Sequence, residues 1–117
     1  MAFHPEDRVV ASCSEDKSIK LWNLDDGGLI STMSVDGQVE SVDWHENRIV
    51  AGCYDGTIKV FDAQSGDRLS TVNVDAGIGG VQSVSFSPSG DMVAAGCYNG
   101  KIHFMDAAAG QIKSSVS

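Results

Sequence analysis

The chain has 117 residues and a net charge of −8 at pH 7, from 16 Asp and Glu against 8 Lys and Arg. That acid excess makes nucleic acids and anionic membranes poor partners, since both are bound through Lys and Arg. We expect neither a membrane protein nor a secreted precursor, because no apolar run approaches the roughly 18 residues of a membrane span and the first residues lack a signal-peptide pattern. Val and Ile together number 20 and Leu only 4, and branching at Cβ favours strands over helices. The length predicts about one domain.

An internal repeat organises the chain. Cys13, Cys53 and Cys97 lie 40 and 44 residues apart, and alignment on them superimposes three similar segments. The segments are 3–23, 39–62 and 81–106. A period of about 42 residues is typical of proteins built from tandem structural units.

Each unit is predicted to contain four short strands. In the second unit the strands are 39–44, 48–53, 57–61 and 69–74, and Asp55-Gly56 forms a hairpin turn because Gly tolerates positive φ. Asn99-Gly100 takes that place in the third unit, and a longer Glu15-Asp16-Lys17 turn takes it in the first. The pattern predicts an all-β chain of four-stranded antiparallel sheets, the blades of a β-propeller. Blade 1 is placed at 1–38 with a truncated first strand, blade 2 at 39–80 and blade 3 at 81–117.

The motifs S-E-D-K-S-I-K-L-W-N, D-G-T-I-K-V-F-D and Y-N-G-K-I-H-F-M-D resemble the Trp-Asp (WD) repeat. The dipeptide that names this family stands as Trp22-Asn23, Phe61-Asp62 and Met105-Asp106. The usual Gly-His pair before each first strand is absent, and the turn Asp of the family is present at Asp16 and Asp55 but replaced by Asn99. We therefore expect these blades to depend more on apolar packing than on the family's buried polar network.

About 2.8 blades are too few for a closed ring, since propellers close with about four to eight. Each blade buries a face on its neighbour, so an open stack should leave two apolar faces bare. We expect one of three cases: the chain is a fragment of a larger propeller, a unit that completes a ring with copies of itself, or one that completes it with blades of a different chain. A truncated product without independent function is a further alternative.

The remaining reactive residues are expected to be structural. The cysteines occupy one equivalent strand position in each blade, which indicates small core side chains rather than metal ligands. His4 and His45 are equivalent turn residues, and His103 aligns with Lys20 and Lys59 on a strand face that we expect to be exposed. No Ser-His-Asp or Cys-His pairing is apparent, so no catalytic, metal or cofactor residue is predicted.

The Gly77-Ile78-Gly79-Gly80 segment joins two strands without a following helix, so it is predicted to be an inter-blade loop rather than a phosphate-binding loop.

Resemblance to WD propellers also implies a binding face, formed by the turns between second and third strands together with the inter-blade connections. It would hold Glu15, Asp16, Asp36, Tyr54, Asp55, Asp75 and Tyr98. Exposed Tyr suits a protein interface because it combines a large apolar area with a polar tip. The alternative is that the Asp residues serve turn chemistry and the Tyr residues pack beside the loops.

The predicted function is a non-catalytic scaffold for protein–protein interaction, cytoplasmic or nuclear, with an unidentified protein partner and no cofactor. A rival is a propeller enzyme of the quinoprotein type, which G-T-I-K-V-F-D-A-Q-S-G-D-R-L also resembles. That family usually has a Trp in the next strand, where this chain has Ser70-Thr71-Val72.

Overall fold

The computed structural model describes residues 2–3, 8–13, 17–35, 37–74 and 77–116, which form three antiparallel sheets of four strands. Blade 1 contains β1 (Ala2–Phe3), β2 (Val9–Cys13), β3 (Ser18–Asn23) and β4 (Leu29–Ser34). Blade 2 contains β5 (Val39–His45), β6 (Arg48–Cys53), β7 (Thr57–Asp62) and β8 (Arg68–Asn73). Blade 3 contains β9 (Val81–Phe86), β10 (Met92–Cys97), β11 (Ile102–Asp106) and β12 (Gln111–Val116). The described residues include no helix, hence none long and apolar enough to cross a membrane. The prediction of an all-β, incomplete propeller is confirmed.

Two apolar cores hold the sheets together, one at each junction between blades. The core between blades 1 and 2 includes Ala11, Ile19 and Leu21 from the first sheet and Val42, Trp44, Ile49, Ala51 and Phe61 from the second. The core between blades 2 and 3 includes Val50, Ile58 and Val60 from the second sheet and Val81, Val84, Val93 and Met105 from the third. Blade 2 is covered on both faces, so β6 and β7 are buried along most of their length instead of in alternation.

The three cysteines do not all occupy equivalent positions, and this part of the sequence prediction is wrong. Cys53 and Cys97 are equivalent, each paired with the first residue of its blade's first strand. Cys13 pairs with Ile19, the register position that Gly52 occupies in β6. Six positions separate the paired residues Cys13 and Ile19, and six separate Gly52 and Ile58, so Cys13 lies one register position before Cys53 and alignment on the cysteines shifts β2 by one residue. A shift of one residue turns every side chain of a strand to the opposite face.

The expectation that Lys59 and His103 lie on an exposed face is also wrong. Their exposed fractions are 1% and 6%, because this face of each sheet packs on the preceding blade. The Nζ of Lys59 donates to Thr57 Oγ1, and Nδ1 of His103 lies 2.6 Å from Ser115 Oγ. A polar partner at the tip lets a long side chain lie among apolar neighbours. Lys20, at the end of the stack, is half-buried.

The two outer faces of the stack differ, so the expectation of two bare apolar faces is met only in blade 3. The free face of blade 3 is apolar and carries Met92, Ala94, Gly96, Ile102 and Phe104. On the free face of blade 1, Trp22 lies over strand β2 and its Nε1 donates to Ser12 Oγ at 2.9 Å. Lys20 and the buried Ser18 make this face more polar.

Candidate protein-binding loops

One edge of the stack gathers the turns that follow β6 and β10 and the segment that joins blade 2 to blade 3. We call this the loop edge; its described parts are residues 54–56, 98–100 and 77–80. Of the seven residues predicted for a binding face, Tyr54, Asp55 and Tyr98 lie here. The other four fall outside the described residues, namely Glu15, Asp16, Asp36 and Asp75.

Backbone hydrogen bonds tie each turn of the loop edge to the connection that enters its blade. The amide of Tyr54 donates to Gln38 O at 2.9 Å, and the amide of Tyr98 donates to Gly80 O at 3.0 Å. These two bonds occupy equivalent places in blades 2 and 3. They fix the turns through the main chain.

Two glycines bring the inter-blade segment into close contact with both tyrosines. A Cβ on Gly80 would lie 2.2 Å from the carbonyl oxygen of Tyr54, and a Cβ on Gly79 would lie 2.7 Å from Cγ of Tyr98. Both glycines have positive φ, at +69° and +100°. The segment therefore lies between the backbone of Tyr54 and the ring of Tyr98, and it positions Ile78 at the same edge.

The result is an exposed apolar group at the loop edge, the aromatic patch, formed by Tyr54, Ile78 and Tyr98. Their exposed fractions are 49%, 87% and 70%. Ile78 was absent from the predicted binding residues, because the sequence identified this segment only as a loop. The available signal was an aliphatic residue flanked by glycines in a connection, where no strand pattern assigns it to the core.

Asp55 is committed to its own turn. Its Oδ1 accepts from the amide of Thr57 at 3.1 Å and from the Thr57 hydroxyl at 2.6 Å, and its Oδ2 lies 3.8 Å from Nζ of Lys59. A Cβ on Gly37 would come within 2.9 Å of Oδ2, so the entering connection also passes close by. This geometry favours turn chemistry over partner contact for the carboxylate.

The Cys53 thiol, directly before this turn, does not have the properties of an activated nucleophile. Burial raises the pKa of the Cys53 thiol, an effect that the neighbouring Lys59 ammonium and the Thr57 hydroxyl oppose but do not outweigh. The thiol is therefore protonated near neutral pH, and it is the thiolate that reacts. No three His, Cys, Asp or Glu side chains of the described residues are grouped as a metal site would require.

The opposite edge of the stack contains a cleft of about 530 Å³ between blades 2 and 3. His45, the last residue of β5, forms one wall, with its ring 5.7 Å from that of Phe86 and its Nε2 3.3 Å from Pro88 O. A Cβ on Gly90 would lie 2.4 Å from this ring, so the histidine packs directly on the turn. His45 is thus a packed, hydrogen-bonded residue. His4 lies outside the described residues.

Near the same edge, the acidic residues of the family dipeptide cap the last turn of their blades. Backbone amides lower the pKa of Asp62, with Ser65 contributing most and Gln64 next. The pKa of Asp106 is lowered in the same way, with the amide of Ala109 contributing most. Both carboxylates therefore organise turns.

The relatives that this chain matches are much longer proteins. It is 35% identical over 79 residues to the COMPASS component SWD3 of Saccharomyces cerevisiae, which covers 64% of this chain and 25% of the relative. It is 30% identical over 85 residues to the ribosome biogenesis protein bop1-B of Xenopus laevis, covering 70% and 12%. It is 34% identical over 89 residues to a periodic tryptophan protein 2 homologue of Caenorhabditis elegans, covering 75% and 9%. The chain thus spans a quarter or less of the length of these relatives.

The model of the WD domain, G-beta repeat (WD40), matches residues 1–23, 27–62 and 69–106. Each match ends at the second residue of a predicted family dipeptide, which confirms the resemblance seen in the sequence. The second match begins before β4 and ends with β7, so one sequence repeat contains the outer strand of one blade and three strands of the next. With three matches over most of its length and the corresponding blades, the chain belongs to the WD40 family.

Proposed function

We propose that this chain is a non-catalytic scaffold that binds another protein through its loop edge, with the aromatic patch as the main contact. The observation that carries the proposal is the exposure of Tyr54, Ile78 and Tyr98 on loops that the main chain already holds in place. Large aromatic and aliphatic side chains on preorganised loops give contact area without a large ordering cost. The name of one relative, a COMPASS component, describes a part of an assembly. The cytoplasm or nucleus remains the proposed location, in keeping with described cysteines that form no disulfide with one another.

Affinity capture with the tagged chain tests this proposal. Replacement of both Tyr54 and Tyr98 by Ala should reduce capture of the partner about tenfold or more, because buried Tyr contacts are often dominant in protein interfaces. Since main-chain hydrogen bonds hold both turns, the far-ultraviolet circular dichroism should stay that of the parent.

Leu69→Ala is the matched control, because Leu69 is 51% exposed on the outer strand β8, away from the patch. This variant should capture the partner as the parent does. If the double tyrosine variant does so too, the aromatic patch is not the binding site.

A further inference from the structure

The edge opposite the loop edge contains a second cleft, one blade junction away from the cleft at His45. This second cleft has a volume of about 510 Å³ and lies between blades 1 and 2. Asn47 lines both clefts, so they adjoin each other. We call the cleft between blades 1 and 2 the apolar cleft and the cleft between blades 2 and 3 the charged cleft.

The two clefts occupy equivalent places in successive blade junctions. Val9 in the apolar cleft and Arg48 in the charged cleft each pair with the second residue of their blade's family dipeptide. The main-chain carbonyls of Asn47 in the apolar cleft and Asp91 in the charged cleft each accept from the amide that follows the dipeptide, at 2.8 and 2.9 Å. The clefts therefore share a backbone framework and differ in their side chains.

The apolar cleft is suited to a large apolar side chain. Ile30 is 51% exposed there, on the outer strand β4, and burial of such a surface against a partner is favourable. Most of the described residues that line the cleft are apolar, namely Val9, Leu21, Ile30, Trp44 and Ala63. The side chain that fits this cleft is thus aliphatic or aromatic.

The charged cleft is suited to a positively charged side chain. Its walls carry the carboxylates of Glu46, Asp91 and Asp106 against the single guanidinium of Arg48. The amides that lower the pKa of Asp106 keep its carboxylate ionised. An excess of negative charge attracts Lys and Arg, and the net charge of −8 on the chain adds to that attraction.

The spacing of the clefts selects the backbone conformation of a peptide that fills both. Packed sheets lie about 10 Å apart, so equivalent places in successive junctions are separated by about that distance. Both clefts open on one edge, so the two side chains must leave the peptide backbone on the same side. Residues on one side of a β-strand are about 7 or 13 Å apart, whereas polyproline II places every third residue on one side at about 9 Å. Polyproline II is therefore the conformation that fits.

We propose that the two clefts form one groove for a linear peptide of a protein partner in polyproline II conformation. The peptide places a large apolar residue in the apolar cleft and, three residues away, Lys or Arg in the charged cleft. Such a segment is already extended before it binds, which lowers the cost of ordering it. The groove lies on the edge opposite the aromatic patch, so the chain presents two separate binding surfaces.

Anisotropy titrations of two fluorescently labelled peptides with the 117-residue chain test the proposal. The peptides are Gly-Leu-Pro-Pro-Arg-Gly and Gly-Arg-Pro-Pro-Leu-Gly, because the clefts do not define the direction of the bound chain, and binding of either one supports the proposal. Glu in place of Arg should weaken binding about tenfold, since it meets three carboxylates. A third Pro between Leu and Arg should weaken it similarly, since it turns the two side chains to different sides.

Variants of the charged cleft place the basic residue. Asp91→Asn should weaken binding about threefold, the range of an exposed ion pair. This variant should fold as the parent does, because Asn47 holds the equivalent position in blade 2. Asp67→Asn is the matched control, since it removes the same charge from an exposed turn that lines neither cleft.

Variants of the apolar cleft place the other residue. Ile30→Ser should weaken binding about fivefold, because apolar contact area is lost. Leu69→Ser is the matched control, since Leu69 has the equivalent position in blade 2, is also 51% exposed and lines neither cleft.

Three results would overturn the proposal. The first is that neither peptide binds at concentrations up to about 1 mM. The second is that Asp91→Asn and Ile30→Ser both leave the affinity unchanged. The third is that the Tyr54→Ala, Tyr98→Ala double variant loses binding, because the peptide then occupies the loop edge instead of the groove.

Discussion

Two glycines at one register position provide a stability test with its control built in. Gly52 and Gly96 occupy equivalent register positions in blades 2 and 3, and neither has positive φ. The methyl group of Gly52→Ala would lie 2.7 Å from Cγ1 of Val81, closer than Cβ atoms approach in real structures. The methyl group of Gly96→Ala would meet only Ser83, at 3.9 Å, an ordinary contact. We therefore expect only the first substitution to strain the fold.

The magnitude follows from two opposing effects. Overpacking of a filled core typically costs about 1–3 kcal/mol. Restriction of the unfolded chain by Ala in place of Gly returns about 0.5 kcal/mol at either position. Gly52→Ala should thus lose about 0.5–2.5 kcal/mol and Gly96→Ala should gain about 0.5 kcal/mol. At about 4 °C per kcal/mol for a chain of this size, the Tm falls by about 2–10 °C in the first and rises by about 2 °C in the second.

Urea unfolding followed by tryptophan fluorescence and by circular dichroism measures both effects. Equal slopes against urea in the parent and variants show that the comparison concerns the same transition. If Gly96→Ala destabilises as much as Gly52→Ala, the free face of blade 3 is already covered in solution, and the reasoning from register fails. A repeat at tenfold lower protein concentration then shows whether association covers it.

Two further predictions concern charged groups. Asp55→Ala should lower the free energy of unfolding by about 1 kcal/mol more in the parent than in a Lys59→Met background, because loss of the carboxylate leaves the buried Lys59 ammonium poorly compensated. A double-mutant cycle that finds no coupling between the two residues would contradict this. The lowered pKa of Asp62 and Asp106 means that their stabilisation is present above about pH 4, the value in the unfolded chain, and is lost as the pH falls through the lower folded value. Thermal unfolding at a series of pH values should therefore show a shallower acid decline in Tm for the Asp62→Asn, Asp106→Asn double variant.

Sequence periodicity identified the strands well but assigned some of their faces wrongly. Turn glycines and alternating β-branched residues define strand ends locally, so those could be found without coordinates. The burial of Lys59 and His103 could not be found in this way, because a polar side chain on a strand is normally expected to face solvent. Its burial becomes apparent only when one knows which blade packs on that face and which hydroxyl bonds the end of the side chain. Cys13 was placed on the wrong face because it occupies the register position of Gly52 rather than that of Cys53, and alignment by residue type does not reveal the register. Ile78 was missed because its position depends on contacts between loops that are distant in sequence.

At the loop edge, backbone atoms hold the turns in place, and exposed side chains provide the proposed binding surface. The equivalent bonds from the amides of Tyr54 and Tyr98 use only backbone atoms, and the glycines at 79 and 80 supply the close approach. The side chains at 54 and 78 can therefore be exchanged at little cost to the blades, while any binding surface formed there changes. On this reasoning, Ile78→Ser should leave the Tm within about 2 °C of the parent, the range of a surface substitution, and still weaken capture of the partner. A large fall in Tm would show instead that Ile78 supports the fold, and that the aromatic patch has a structural role.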